Sequence, residues 1–76
     1  MSNTLIYVRG DDWEGLYVNG VIHYQNHTLR VGDVIQIIKE CDTIEVVYEY
    51  DVESHWMEEM GYLPKFFSDI PKDVLQ

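Results

Sequence analysis

The chain has 76 residues and a mass of 9.0 kDa, enough for one domain with a modest hydrophobic core. Apolar residues make up 46% of it, which argues against intrinsic disorder despite the high charge. The net charge is −9, from 14 acidic and five basic side chains. Direct binding to nucleic acid or to anionic lipid is therefore disfavoured, because both require a cationic surface.

The composition also bears on cofactors and compartment. Cys41 is the only cysteine, which excludes an internal disulfide bond and any zinc motif built on cysteine pairs. The sequence has no apolar run long enough to cross a membrane, and its first residues lack the features of a secretory signal. We therefore expect a single domain over residues 1–76, cytoplasmic, with no membrane association and no cofactor.

Residues 4–9 are rich in β-branched and aromatic side chains and predict the first strand. Ile6 and Val8 point to one face while Leu5 and Tyr7 point to the other. Apolar residues on both faces indicate a central strand that is covered on both sides.

A hairpin is predicted next, from strands at residues 13–18 and 21–24 that flank Asn19-Gly20. The Asn-Gly pair favours a type I′ turn, which requires positive φ at both central residues. The resulting register gives the hairpin one aliphatic face and one largely aromatic face. The aromatic face carries Trp13, Tyr17 and Tyr24.

Residues 29–40 show helical periodicity, with apolar residues at i, i+3, i+4 and i+7. The stripe expected to face the core consists of Val31, Val34, Ile35 and Ile38. Asp33 near the start and Lys39 near the end suit the helix dipole.

Residues 44–52 alternate between apolar and acidic side chains, which predicts a strand. One face of this strand is expected to carry Ile44, Val46, Tyr48, Tyr50 and Val52, and the other Glu45, Val47, Glu49 and Asp51. Ser54 is a candidate N-cap for a short helix over residues 54–60, which Gly61 would end. Residues 63–76 are expected to form an irregular or one-turn helical tail packed on the body.

The element order is thus β-β-β-α-β-α, followed by the tail. A right-handed crossover through the first helix would place the fourth strand parallel to the first and beside it. The predicted fold is a small two-layer α+β domain with a four-stranded mixed sheet in the order 4-1-2-3.

The acidic residues are the most informative functional feature. Residues 41–63 contain neither Lys nor Arg, and residues 40–64 carry eight carboxylates: Glu40, Asp42, Glu45, Glu49, Asp51, Glu53, Glu58 and Glu59. Along a strand, side chains at i and i+2 recur every ~6.7 Å, which is of the order of the phosphate spacing in one DNA strand. A row formed by Glu45, Glu49 and Asp51 would suit a cationic groove built for nucleic acid. The alternative is that the acidic face only keeps the protein soluble and protects an edge strand from self-pairing.

The aromatic hairpin face has two interpretations. Either the tail and Trp56 cover it, or Trp13, Tyr17 and Tyr24 form a partly exposed patch rimmed by Asp11, Asp12 and Glu14. Aromatic anchors with a charged rim are typical of protein interfaces and would also serve a homodimer.

Catalytic and metal sites are not expected. His23 and His27 are four residues apart on a strand and its following loop, where their side chains do not converge. No phosphate-binding glycine loop, nucleophile elbow or EF-hand pattern occurs. We therefore expect a protein that is not an enzyme.

Three segments carry a resemblance: residues 12–20 (DWEGLYVNG), 27–29 (HTL) and 61–64 (GYLP). They resemble a group of small bacterial and phage-type proteins that share a WEGLY(V/I)(D/N)G hairpin and a G-x-LP tail. The resemblance implies no activity, since none is established for that group. In size and acidity the chain is also similar to phage-encoded nucleic-acid mimics and anti-defence inhibitors, a likeness of physical type and not of motif.

These observations lead to one functional hypothesis. The chain is expected to be a non-enzymatic, acidic interaction protein that docks on a cationic surface of a basic partner, such as a nucleic-acid-binding protein. The expected contact residues are Asp11, Asp12, Trp13, Tyr17, Tyr24, Glu45, Glu49, Asp51, Glu53, Glu58 and Glu59. The alternative is an accessory or homo-oligomerisation module that uses the aromatic hairpin face.

Overall fold

A computed structural model describes residues 2–41 and 43–76; Asp42, one of the eight carboxylates above, lies outside the described residues. The strands are Ser2–Arg9 (β1), Glu14–Val18 (β2), Val21–Asn26 (β3) and Thr43–Asp51 (β4). The helices are Val31–Glu40 (α1) and Ser54–Met60 (α2). Two 3₁₀ turns, Phe67–Asp69 and Lys72–Val74, follow in the tail.

The strands form one mixed sheet in the order β3-β2-β1-β4, which confirms the predicted α+β fold and strand order. β1 pairs with β2 in antiparallel fashion and with β4 in parallel fashion. β1 is thus a central strand, and β4 is an edge of the sheet.

The core has two layers, one on each face of β1. On one face Leu5 packs with Leu16 of β2 and Ile37 of α1. On the other face Ile6 and Val8 belong to a larger cluster built with α2 and the tail. The two-sided burial predicted for β1 is confirmed. It accounts for the apolar residues at both odd and even positions of this strand, since these point to opposite faces.

The predicted hairpin turn is present, with φ of 53° at Asn19 and 84° at Gly20. The turn is also tied to β1, because Asn19 Oδ1 accepts a hydrogen bond from Thr4 N at 2.9 Å. Beyond the turn, however, the register shifts: Tyr17 pairs with Ile22, but Leu16 pairs with Tyr24.

This β-bulge at His23 overturns one prediction about the hairpin. A bulge places two residues opposite one and so reverses which face the following residues occupy. Tyr24 therefore joins Leu16 on the α1 face, whereas Trp13 and Tyr17 pack in the cluster on the opposite face. The three rings do not share a face.

A second bulge interrupts β4. Asn3 pairs with Ile44 and Thr4 with Val46, which leaves Glu45 as the extra residue. Ile44 consequently packs on the α1 face, while Tyr50 packs on the opposite one. The prediction that both lie on one face of β4 is wrong, because alternation holds only after the bulge.

Helix α1 is rotated relative to the prediction. Of its residues only Ile37 is buried, and Val31, Ile35 and Ile38 of the expected inner stripe are exposed. Apolar side chains cover more than one side of this helix, so its periodicity is compatible with packing through Ile37 and the neighbouring Cys41.

The tail covers the face of the sheet opposite α1. Tyr17 donates a hydrogen bond from its hydroxyl to the Pro64 carbonyl oxygen at 2.6 Å. The Ile22 amide donates to Lys65 O at 2.7 Å, and the Phe67 amide donates to Gly20 O at 2.9 Å. These contacts hold the tail against the hairpin.

Substitution of Gly15 tests this close packing. A Cβ atom at Gly15 would overlap Leu63 Cδ1 and lie 3.2 Å from Ile22 Cδ1, and because Leu63 is buried, its side chain would have to repack within the core. We expect Gly15→Ala to lower the free energy of unfolding by about 2 kcal/mol. Gly32→Ala is the matched control: it adds a methyl group in open space on a helix and should raise stability by roughly 1 kcal/mol. Urea denaturation of dilute protein measures both, and equal effects would contradict the packing described.

Tyr17 also predicts how stability depends on pH. Burial, with a smaller contribution from the Asp69 carboxylate, raises the pKa of Tyr17 above its ordinary value. The unfolded chain therefore loses this proton first, and the free energy of unfolding should fall as pH rises above about 10. Tyr17→Phe should cost about 1–2 kcal/mol at neutral pH, because the Pro64 carbonyl loses its donor. The variant should also lose less stability than the wild type in alkaline urea titrations; an equal loss would contradict the assignment.

Candidate acidic binding site

The parallel pairing of β1 and β4 brings two distant segments of the chain together. Arg9, the last residue of β1, is the register partner of Asp51, the last residue of β4. The following segments stay adjacent, since the Val52 amide donates a hydrogen bond to Arg9 O at 2.9 Å. Acidic residues that follow each strand therefore meet at one end of the sheet.

An open cleft of about 680 Å³ lies at this end, between the β1–β2 loop and α2. Its lining residues are Asp11, Asp12, Trp13, His27, Ser54, Met57, Glu58 and Gly61. A shallower depression of about 270 Å³ adjoins it, shares Asp11 and Ser54, and extends to Asp51 and Glu53. We call the carboxylates around these two depressions the acidic end: Asp11, Asp12, Asp51, Glu53 and Glu58.

Trp13 forms an aromatic wall of the cleft and is held by a hydrogen-bond network. Its Nε1 donates to Gln25 Oε1 at 2.8 Å. The same Gln25 oxygen accepts from the Leu63 amide at 2.8 Å, and Gln25 Nε2 donates to Leu63 O at 3.2 Å. The tail thus fixes Gln25, which in turn fixes the orientation of the Trp13 ring.

His27 completes this wall. Its ring lies edge-on to Trp13, with 4.9 Å between ring centroids. Its Nδ1 is 3.2 Å from Asp12 O and 3.8 Å from Asp12 Oδ2. From the sequence, His27 was considered only together with His23, as a pair of metal ligands whose side chains do not converge. Nothing in the sequence indicates its contact with Trp13.

Glu53 fixes the start of α2. Its carboxylate accepts hydrogen bonds from the backbone amides of His55 and Trp56, each at 3.0 Å. The predicted cap at Ser54 is therefore wrong by one residue. A carboxylate at this position accepts hydrogen bonds from first-turn amides that have no partner within the helix. It also interacts favourably with the helix dipole. Gly61, at φ 75°, ends the helix as predicted.

Arg9 partly neutralises the acidic residues of β4. Its Nε donates to Asp51 Oδ1 at 2.9 Å, and its Nη2 lies 3.6 Å from Glu49 Oε1. The hydrogen bond and the charge of Asp51 raise the pKa of Arg9 above its ordinary value. Glu45 stands at the bulge, about 20 Å along the strand from Asp51 at the usual rise per residue. The continuous row of three free carboxylates expected on β4 is not what the structure contains.

The expected contact residues therefore separate into groups. Six of them surround or adjoin the cleft: Asp11, Asp12, Trp13, Asp51, Glu53 and Glu58. Glu49 and Asp51 pair with Arg9, and Glu59 of α2 lies 3.2 Å from His55 Nε2. Glu45, Tyr17 and Tyr24 lie away from the cleft.

No protein-family model, curated protein or solved structure matches this chain. Within residues 2–41 and 43–76, no three or more His, Cys, Asp or Glu side chains are placed to hold a metal ion. None of the helices in this described part is long and apolar enough to cross a membrane.

The cap of α2 can be tested with a pair of neighbouring substitutions. We expect Glu53→Ala to lower the free energy of unfolding by about 1 kcal/mol, because two backbone amides lose their acceptor. Ser54→Ala should have little effect, since Glu53 and not Ser54 provides the cap. Thermal denaturation monitored by circular dichroism measures both changes. A larger loss for Ser54→Ala would show that the cap has been assigned to the wrong residue.

Proposed function

We propose that this protein is a non-enzymatic interaction protein whose acidic end docks on a cationic surface of a partner protein, such as a nucleic-acid-binding surface. The observation that carries the proposal is the convergence at one cleft of carboxylates from two chain segments, Asp11 and Asp12 from one and Glu58 from the other, beside a fixed indole ring. The net charge of −9 supports the proposal, because it attracts a cationic partner over long distances.

The chemistry of the cleft suits an arginine or lysine side chain. Carboxylates make charge-assisted hydrogen bonds to guanidinium and ammonium groups. An indole face attracts the same cations, and arginine also stacks on it. Asp12, Trp13 and Glu58 therefore offer a partner cation both ionic and aromatic contacts within one depression.

The overall charge suits rapid association. A strongly anionic protein is steered toward a cationic partner, and salt screens this attraction. Proteins that bind nucleic acid present cationic surfaces to phosphates. Carboxylates of the acidic end would take the place of phosphates on such a surface, so the bound protein would act as an inhibitor that occupies the nucleic-acid site.

The aromatic hairpin face receives less support as a binding surface. Tyr17 is completely buried, and Trp13 and Tyr24 are half-buried on opposite faces of the sheet. An oligomerisation module built on these three rings is therefore not the function that the geometry favours.

A matched pair of charge variants tests the proposal. Asp11→Asn/Asp12→Asn/Glu58→Gln neutralises the cleft, while Glu40→Gln/Glu45→Gln/Asp73→Asn neutralises three acids elsewhere. Both variants have a net charge of −6, which is −9 plus three. The probe is a twelve-residue peptide of alternating Arg and Gly, titrated into dilute protein by calorimetry at several salt concentrations.

We expect the cleft variant to bind the peptide at least about tenfold more weakly than wild type, and the control to bind within about threefold of wild type. Wild-type affinity should fall as salt rises. Equal weakening in the two variants would show that attraction depends on total charge and not on the cleft, and would overturn the proposal.

A further inference from the structure

The tail already pairs with one end of the outer edge of β4. The Gln76 amide donates a hydrogen bond to Asp51 O at 2.7 Å, and the Asp51 amide donates to Gln76 O at 3.4 Å. The Glu53 amide donates to Val74 O at 2.9 Å. Val52 and Leu75 form an antiparallel bridge between these two bonded pairs. Residues 74–76 thus lie as a short antiparallel strand beside the end of β4.

The same edge is open before Asp51. In a strand, the backbone N–H and C=O groups of successive residues point to alternate sides. Those of Asp51 point outward to Gln76, so those of Glu49 and Val47 also point outward, away from β1. In the described part of the chain, no segment pairs with Glu49 or Val47 on this outer side. Unpaired groups at a sheet edge can accept one more strand.

Two exposed apolar side chains flank this open edge, one on each face of the sheet. Val47 is 63% exposed and lines an apolar groove of about 330 Å³ between α1 and the sheet. Tyr48, on the opposite face, is 47% exposed and stacks on Tyr50, with 6.3 Å between ring centroids. The side chains of an added strand would alternate between the two faces and cover both residues. We call the backbone and side chains of Val47, Tyr48 and Glu49 the edge site.

The charge of the edge site indicates which strand fits it. The side chain of Glu49 is 63% exposed, and Arg9 approaches it to 3.6 Å from β1, on the side away from the open edge. Opposite charges directly across a strand pair stabilise it, and like charges destabilise it. If two copies of β4 paired in antiparallel fashion about Val47, Glu49 of one would lie opposite Glu45 of the other. The edge site therefore favours a basic strand over a second copy of this chain.

We propose that the edge site binds an extended segment of a partner protein as a fifth strand, antiparallel to β4. Residues 74–76 define this direction, which sets the order of side chains in the segment. A basic residue lies opposite Glu49, the next residue is apolar and lies opposite Tyr48, and the third is apolar and lies opposite Val47. The first and third residues exchange backbone hydrogen bonds with Glu49 and Val47, as Gln76 does with Asp51. This site is distinct from the acidic end and does not rest on the proposed function.

The probe is the acetylated and amidated peptide Thr-Arg-Ile-Val-Thr-Lys-Thr, in which Arg, Ile and Val take these three positions. The contact is short, so we expect a dissociation constant of about 0.1–1 mM. At about 5 mM peptide, exchange of the Val47 and Glu49 amide protons with water, measured by NMR, should slow at least about fivefold. The Tyr48 and Tyr50 amides face β1 and should exchange slowly with or without peptide.

Two results of this experiment would overturn the proposal. One is unchanged exchange of the Val47 and Glu49 amides in the presence of peptide. The other is slow exchange of these amides at about 1 mM protein without peptide, because a second copy of the chain would then occupy the edge.

Methyl groups on the backbone nitrogens of the peptide test the strand pairing. N-methylation of its Arg and Val removes two N–H donors that face β4, and should weaken binding at least about tenfold. N-methylation of its Ile and the following Thr is the matched control. Those N–H groups point away from β4, so affinity should stay within about threefold of the unmodified peptide. Equal weakening by the two patterns would contradict the pairing.

A charge exchange tests the position of Glu49. Glu49→Lys should weaken binding of the peptide about threefold to tenfold. Glu40→Lys is the matched control: it gives the same net charge of −7, that is −9 plus two, but lies near His23 at the other edge of the sheet. A peptide with Glu in place of Arg should bind Glu49→Lys more tightly than it binds Glu40→Lys. Equal affinities of the two variants for both peptides would overturn the register.

The location of the bound peptide separates this proposal from the proposed function. Chemical-shift changes at residues 46–50 place the peptide on the edge site. Changes at residues 10–14 and 53–61 instead would show that its basic residues bind the acidic end, and would overturn the edge site alone. The arginine–glycine peptide lacks apolar side chains and is rich in glycine, which disfavours strands, so it should not slow exchange at Val47 and Glu49. Its failure to bind would overturn the acidic end alone.

Discussion

The parallel pairing of β1 with β4 is the constraint on which the rest of the structure depends. It requires a crossover connection, which α1 provides, and it places the carboxyl ends of both strands at the same end of the sheet. The register pairs Arg9 with Asp51. The segments that directly follow these two residues, the Asp11-Asp12 turn and the start of α2, are then held around the same cleft.

Gathering acidic groups at one place is unfavourable because like charges repel, and the fold offsets this locally. Arg9 lies between Glu49 and Asp51 and bonds to the second. Glu53 lies at the N-terminus of α2, where its carboxylate accepts hydrogen bonds from backbone amides that have no partner within the helix. Asp11, Asp12 and Glu58 are left facing the cleft beside Trp13. The same interactions that make the acidic end tolerable therefore determine which of its carboxylates remain available to a partner.

Much of this fold could be predicted because its signals are local. The Asn19-Gly20 turn, the two-faced apolar pattern of β1 and the right-handedness of a crossover through α1 together specify the strand order. The bulges at His23 and Glu45 could not be predicted, because an extra residue in a strand leaves no mark in composition or charge. Each bulge reverses the faces beyond it, so the expected aromatic face and acidic row were both affected.

The candidate site was predictable in its residue types and not in its geometry. The absence of Lys and Arg between Glu40 and Pro64 indicated an acidic surface, but the contacts of Asp12 and Trp13 with His27 are long-range and depend on the assembled sheet. The facing of α1 was ambiguous for a related reason. Its apolar residues cover more than one side of the helix, and only the shape of the sheet selects Ile37 for burial.

The most direct test of the acidic end is a map of the bound surface. In a ¹⁵N-labelled sample titrated with the arginine–glycine peptide, we expect the largest chemical-shift changes in residues 10–14 and 53–61 and at the Trp13 indole N–H. Residues 43–47, at the opposite end of β4, should change little. Changes centred on those residues, or spread evenly over all acidic positions, would contradict the claim that the fold builds one cation-binding cleft.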